Sequence, residues 1–310
     1  MICKHLSTRL FSSAISEGRR RPVALFLNAA RLDYDNKLDF SRLESLCDFR
    51  RHNADYVRDH DQLVSLVVEA QAEIIITKEM RIPVEAFRQF PSSVKLLCEA
   101  GTGFNNLPVL VARERNIPVC NCPTYSTDAV AHMAITYLMN FSVSMFDQQR
   151  MLWEDNRANF TGPFTLPLTE INGKTLGLVG GAGRIGTTVA EIALALGMNI
   201  IISSRRPTLP TGHILSNNPR VQVCSSDNLG FLLSQSDYVS LHTPLNDETR
   251  GTFGRAQISQ MKPTAFLINT SRGVRFREVE GVRCCVCMRV QFLNSSTPCC
   301  YVTWCICCFA

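Results

Sequence analysis

Residues 174–204 read KTLGLVGGAGRIGTTVAEIALALGMNIIISS, and the glycines in this stretch limit the fold more than anything else in the chain. KTLGLVG is an apolar strand. TTVAEIALALGM has its apolar residues Val189, Ile192, Ala193 and Leu196 at helical spacing, and NIIISS is a second strand. Between the first strand and the helix, Gly181, Gly183 and Gly186 form G-x-G-x-x-G. The first glycine permits a tight turn, the second lets a pyrophosphate approach the backbone, and the third lets helix and strand pack closely. Arg184 and Ile185 lie within the motif as candidate cofactor residues, and the free N–H groups of the helix start can bind phosphate. The stretch therefore predicts a dinucleotide-binding unit, although LVGGAGRIG holds one residue more than expected between strand and motif.

The end of the second strand bears on which dinucleotide. An NAD site usually has an acid there for the ribose 2′-hydroxyl. This chain has Ser204, Arg205 and Arg206 instead. Hydroxyls and guanidinium groups accommodate a 2′-phosphate that a carboxylate would repel. NADP(H) is therefore expected ahead of NAD(H), which stays open as the alternative.

Upstream, the same alternation of strand and helix appears. PVALFLN, CDFRRHN, EIIIT, VKLLCEAG and IPVCN read as strands; DQLVSLVVEAQA, VEAFRQF and LPVLVARERN read as helices. This predicts an α/β layer with a parallel sheet. STDAVAHMAITYLMNFSVSMFDQQRMLWEDN reads as one long helix capped by Ser126 or Thr127. A chain of 310 residues is long enough for two domains. Much of its net charge of +5 lies near the two ends, so no nucleic-acid partner is expected. No apolar run approaches the roughly 20 residues that span a bilayer, and no membrane is expected either.

The two ends differ from the middle. Residues 1–21 contain Lys4, Arg9, Arg19, Arg20 and Arg21 but only one acid, Glu17, the composition of a transit peptide. Mitochondrial localisation is expected, with plastid or cytoplasm as alternatives. Eight of the 14 cysteines lie between Cys284 and Cys308. Their CCVC and CICC clusters lack common zinc spacing, so no metal site is expected and residues 274–310 read as an atypical Cys-rich tail.

SDYVSLHTPLNDETRG, MKPTAFLINTSRG, GRIG, EAGTGFNN and CPTYSTDAVA together resemble the D-isomer-specific 2-hydroxyacid dehydrogenases over about residues 22–273. This is the family of glyoxylate/hydroxypyruvate reductases and phosphoglycerate dehydrogenases. The resemblance implies two Rossmann-like domains: a flavodoxin-like substrate domain at 22–125 and an NAD(P)-binding, doubly wound parallel sheet at 126–273. It implies a catalytic role for Arg272, which would clamp a substrate's carboxylate and keto oxygen. Gly101, Thr102 and Gly103 would offer backbone N–H groups to the same carboxylate. His242, Thr243, Pro244, Thr249 and Thr270 would line the cofactor. The implied partners are a small 2-keto or 2-hydroxy acid, glyoxylate or hydroxypyruvate, and a second copy of the chain.

The chain also departs from the family. Asn105 stands where many members have Asp, and His132 where relatives often have Glu. The family's acid–base histidine and its glutamate belong well after Arg272. The last histidine is His242 and the last acid Glu280, so residues 273–310 supply neither at the family position. The last part of the second domain is therefore expected to be missing, leaving the AFLIN strand with an open edge. Three readings follow: a 2-keto acid reductase, a non-catalytic NAD(P)-binding or regulatory protein, and a truncated product of a retained intron or frameshift.

Overall fold

The structure, a computed structural model, describes residues 20–205, 208–246 and 248–271 and the strands Cys287–Leu293 and Thr297–Tyr301. The predicted transit segment, residues 1–21, thus lies outside the described residues apart from Arg20 and Arg21. The chain divides into two compact units, one ending at Tyr125 and the other beginning at Ser126.

In the first unit, β1 (Val23–Phe26), β2 (Asp48–Arg51), β3 (Ile74–Thr77), β4 (Leu96–Glu99) and β5 (Val119–Asn121) form a parallel sheet in the order β2-β1-β3-β4-β5. The connections carry α1 (Ser41–Leu46), α2 (His60–Glu69), α3 (Val84–Gln89) and α4 (Val109–Glu114). α2 starts where the Asp59 carboxylate accepts the Gln62 N–H at 2.8 Å, and it buries Leu63 and Val67. These pack with Ile75, Phe87, Leu97 and Val111 in one core. The apolar runs of the sequence become strands because parallel strands are covered on both faces.

In the second unit, β6 (Thr175–Val179), β7 (Asn199–Ser204), β8 (Val221–Ser225), β9 (Tyr238–Leu241) and β10 (Phe266–Asn269) are parallel, in the order β10-β9-β6-β7-β8. Helices α5 (Thr127–Val143), α6 (Met145–Trp153), α7 (Ala158–Thr161), α8 (Arg184–Ala195), α9 (Leu229–Gln235) and α10 (Arg255–Ile258) complete it. One core joins α5 and α8 to the sheet, with Phe141 stacked on Phe266 at 4.8 Å between ring centroids. A second core joins Leu232, Leu233 and Ile258 to Val239 and Leu267. Two cores on one sheet make it doubly wound.

Two expectations are corrected. The long helix read over residues 126–156 is broken at Ser144, whose backbone is left-handed (φ 51°), and α5 and α6 are bent by 66°. The Asn140 side chain accepts the Phe146 N–H at 2.8 Å, and the Ser144 hydroxyl donates to the Pro167 carbonyl at 2.8 Å. These bonds replace the helical ladder at the break. Among the described residues no single helix is long and apolar enough to cross a membrane. The second correction concerns the sheet edge expected to be open. β11 (Cys287–Leu293) pairs antiparallel with β10, and β12 (Thr297–Tyr301) pairs antiparallel with β11. An antiparallel ribbon needs only chain reversals, whereas a sixth parallel strand needs a crossover of a dozen or more residues.

Candidate functional site

The order of the second sheet reverses between β6 and β9, and open α/β sheets bind ligands outside the strand ends at such a point. Backbone bonds hold these ends together: Gly180 N–H donates to Ser203 O at 2.9 Å and His242 N–H to Val179 O at 2.8 Å. Gly180 is the extra residue noted in the sequence. Its φ is +81°, and a Cβ there would stand 2.6 Å from the Thr243 methyl. The turn therefore needs a glycine before the motif as well as within it.

The three motif glycines have different neighbours. A Cβ on Gly186 would lie 2.5 Å from Gly181 Cα, and one on Gly181 would lie 2.6 Å from Leu178 Cβ. Both positions are closed by the protein's own packing. A Cβ on Gly183 would meet nothing nearer than Gly180 O at 3.4 Å, and its φ of −79° suits any residue. Gly183 immediately precedes α8, whose first-turn N–H groups have no carbonyl one turn back. The open space beside it is a cradle that a side chain would fill.

Other predicted cofactor residues gather around the same strand ends. Ser204 ends β7 and Arg205 follows it, while Arg206 lies outside the described residues. His242 Nε2 is 2.9 Å from Ser240 Oγ. Thr249 closes the loop after β9, donating to Pro244 O at 2.6 Å and accepting the Asn246 N–H at 2.9 Å. At the end of β10, the buried Thr270 hydroxyl has no hydrogen-bond partner. A cradle at a helix start and an orphaned buried hydroxyl two strands away fit a dinucleotide. Arg272, the predicted catalytic residue, lies outside the described residues.

The first unit has its own reversal, between β1 and β3, and the residues there are charged. Glu99 ends β4, is 1% exposed, and accepts the Glu79 N–H at 2.7 Å and the Thr77 hydroxyl at 3.0 Å. Burial pushes its carboxyl above the usual carboxylate range, and those bonds and the Lys78 charge only partly offset it. A Cβ on Gly101 would lie 3.0 Å from Glu99 Oε1 and 3.5 Å from Lys78 Nζ. Gly101 and Thr102 carbonyls accept Cys122 N–H at 3.0 Å and the Asn121 amide at 2.7 Å. The Gly101 and Thr102 carbonyls are thereby engaged by the chain at and just after β5. Lys78, Glu79 and Glu99 were not among the predicted residues. Their signal in the sequence is charge directly after the apolar runs EIIIT and VKLLC.

A family model described as "D-isomer specific 2-hydroxyacid dehydrogenase, NAD binding domain" matches residues 135–279. A hydroxypyruvate reductase of Blautia hydrogenotrophica is 31% identical over 242 residues, 76% of this chain and 70% of that protein. A glyoxylate reductase of Korarchaeum cryptofilum is 33% identical over 219 residues, 70% of this chain but 59% of that protein's length. The crystal structure of a glyoxylate reductase from Paecilomyes thermophila superposes with a TM-score of 0.68 at 26% identity, covering 83% of this chain and 76% of that one.

Proposed function

The chain belongs to the D-isomer specific 2-hydroxyacid dehydrogenase family, and on that premise we propose that it is an oxidoreductase of small 2-hydroxy and 2-keto acids. Glyoxylate and hydroxypyruvate are the proposed substrates, and NADPH the preferred cofactor ahead of NADH. The observation that carries this reading is the cradle at Gly183, set at the start of α8 beside the sheet reversal. A bound nicotinamide would supply or take up the hydride. The chain's own part is to hold and orient. Gly101–Gly103 present N–H groups to the substrate carboxylate, and Arg272 clamps the carboxylate and the keto oxygen. Ser204, Arg205 and Arg206 receive the 2′-phosphate of the cofactor.

A second reading rests on a specific observation: residues 281–310 hold neither a histidine nor an acid. On this reading the chain binds NADPH and keto acid but does not turn them over. Mixing purified full-length chain with NADPH and glyoxylate or hydroxypyruvate separates the two. Loss of NADPH absorbance supports the reductase, whereas bound NADPH with no loss supports the binding protein. If neither NADPH nor NADH binds, both readings fail. For cofactor choice, Ser204→Asp with Arg205→Ser should weaken NADPH by at least about tenfold relative to NADH, since hydrogen bonds to charged groups contribute about 1.5–3 kcal/mol. An unchanged NADPH/NADH ratio would remove the basis for the preference.

Two further parts of the proposal are independent of the chemistry. Met145, Phe146, Trp153 and Phe164 are exposed on the second unit, Trp153 at 80%. Exposed aromatic and methionine side chains suit a homodimer interface, and light scattering on the purified protein should return twice the chain mass. Residues 1–21 are proposed to direct the protein to mitochondria, and a fluorescent protein fused behind them should locate there.

A further inference from the structure

We infer that Lys78 binds the carboxylate of the keto acid, donating its third ammonium proton to the anion held on the Gly101–Gly103 loop. The inference rests on the substrate class proposed above and adds a residue to its site.

The first observation is position. Lys78 follows β3 at the reversal of the first sheet, and its Nζ is 3.5 Å from where a Gly101 Cβ would stand. The same point lies 3.0 Å from Glu99 Oε1, so the ammonium and the Glu99 carboxyl both face the loop backbone where Gly101 has no side chain. The second is valence. An ammonium has three protons. Lys78 donates one to Glu79 Oε1 at 3.2 Å and one to the Tyr125 hydroxyl at 3.0 Å, with Nζ 5.4 Å from the centre of the Tyr125 ring. No third acceptor is present among the described residues.

The third observation is that the backbone is held in an unfavourable conformation to keep Lys78 there. Glu79 has φ +54°, a left-handed conformation that is unfavourable for a residue with a side chain. Three tethers hold it: Lys78 N–H to Asn28 Oδ1 at 2.9 Å, Asn28 Nδ2 to Lys78 O at 2.7 Å, and Glu79 N–H to Glu99 Oε1. Asn28 is itself fully buried. Strain that the surroundings over-determine in this way marks functional loops. The ammonium also stays charged. Burial opposes the charge, but the Tyr125 hydroxyl and the Glu79 carboxylate outweigh it and raise the Lys78 pKa. The Lys78 side chain is only 12% exposed, so water screens its charge weakly.

Glu79 and the ligand then compete for the same cation, which makes the test one of sign. Binding of oxalate, a non-reacting dicarboxylate analogue of glyoxylate, is measured by calorimetry on the full-length chain with NADPH present. Lys78→Met should weaken oxalate by at least about tenfold, the scale of one hydrogen bond to a charged group. Glu79→Gln keeps the shape but removes the competing charge, and should tighten it. Urea unfolding of both variants reports whether the first unit is folded. If oxalate binds the wild type and K78M equally, Lys78 is not a ligand and the proposed substrate class stands. If E79Q weakens oxalate as K78M does, the cluster is structural and the inference is wrong. If the wild type does not bind oxalate at all, the substrate class itself fails.

Discussion

The two units solve the same topological problem with opposite materials. Each is a parallel sheet whose order reverses once, and each collects its candidate residues at the strand ends beside that reversal. In the second unit the reversal is built of glycines and small hydroxyl residues, with no charged side chain between Gly180 and Gly183. In the first it holds Asn28, Lys78, Glu79 and Glu99, tied together by hydrogen bonds. A diphosphate is large and carries its own charge, so backbone N–H groups and clear space suffice to hold it. A small keto acid offers few atoms, so a fixed cation contributes more than extra space does.

This contrast can be broken most forcefully within the glycine turn. Gly186→Val would drive a side chain into Gly181 Cα, which a Cβ alone already meets at 2.5 Å. It should cost about 3 kcal/mol or more of stability, seen by urea unfolding, and abolish NADPH binding. A variant with wild-type stability would show that packing does not close this position. Gly183→Ala sharpens the point, since its Cβ has room and its φ is ordinary. Stability should hold or rise by about 0.5 kcal/mol, because alanine restricts the unfolded chain. NADPH affinity should nevertheless fall by more than about tenfold, because the methyl occupies the phosphate's space. Unaltered affinity would mean that the cradle is not the phosphate site.

The smallest effect belongs to the charged unit and appears only as pH changes. Burial raises the Glu99 pKa above 4.5, so the folded chain holds that proton more tightly than the unfolded chain does. The resulting stabilisation is complete below the ordinary value and is lost as pH rises through the folded value. Glu99→Gln, a neutral isostere, should remove this slope. Across about pH 4 to pH 8, wild-type stability should fall relative to the variant. Parallel curves would mean that Glu99 is not held out of water as its burial implies.

Parts of this arrangement were legible in the sequence because they are local. Gly181, Gly183 and Gly186 sit within six residues, between a strand and a helix that their own apolar spacing defines. The Ser204–Arg205 end of β7 was readable for the same reason. Gly180 was visible only as an excess residue, because the Thr243 methyl that a Cβ there would meet lies far along the chain, just after another strand. The break at Ser144 was hidden too, since the stretch has helical spacing throughout and the Pro167 carbonyl that holds the break comes from a later loop. Lys78 and Glu79 carry no local signal beyond following an apolar run; Asn28, just after β1, and Glu99, at the end of β4, come beside them only in the fold.

What the sequence determined by itself is therefore the kind of fold, the nucleotide motif and the family. The first two follow from apolar period and residue spacing over short stretches, which the backbone must obey wherever the chain goes; the family follows from the resemblance of several ordered motifs. The tertiary structure decided which residues share a site. Pairing β6 with β9 put Gly180 against Thr243, and pairing β3 with both β1 and β4 gathered Asn28, Lys78, Glu79 and Glu99. Strand order is set by burial of whole faces, a long-range balance that no local pattern records, and it gives a glycine or a lysine its neighbours.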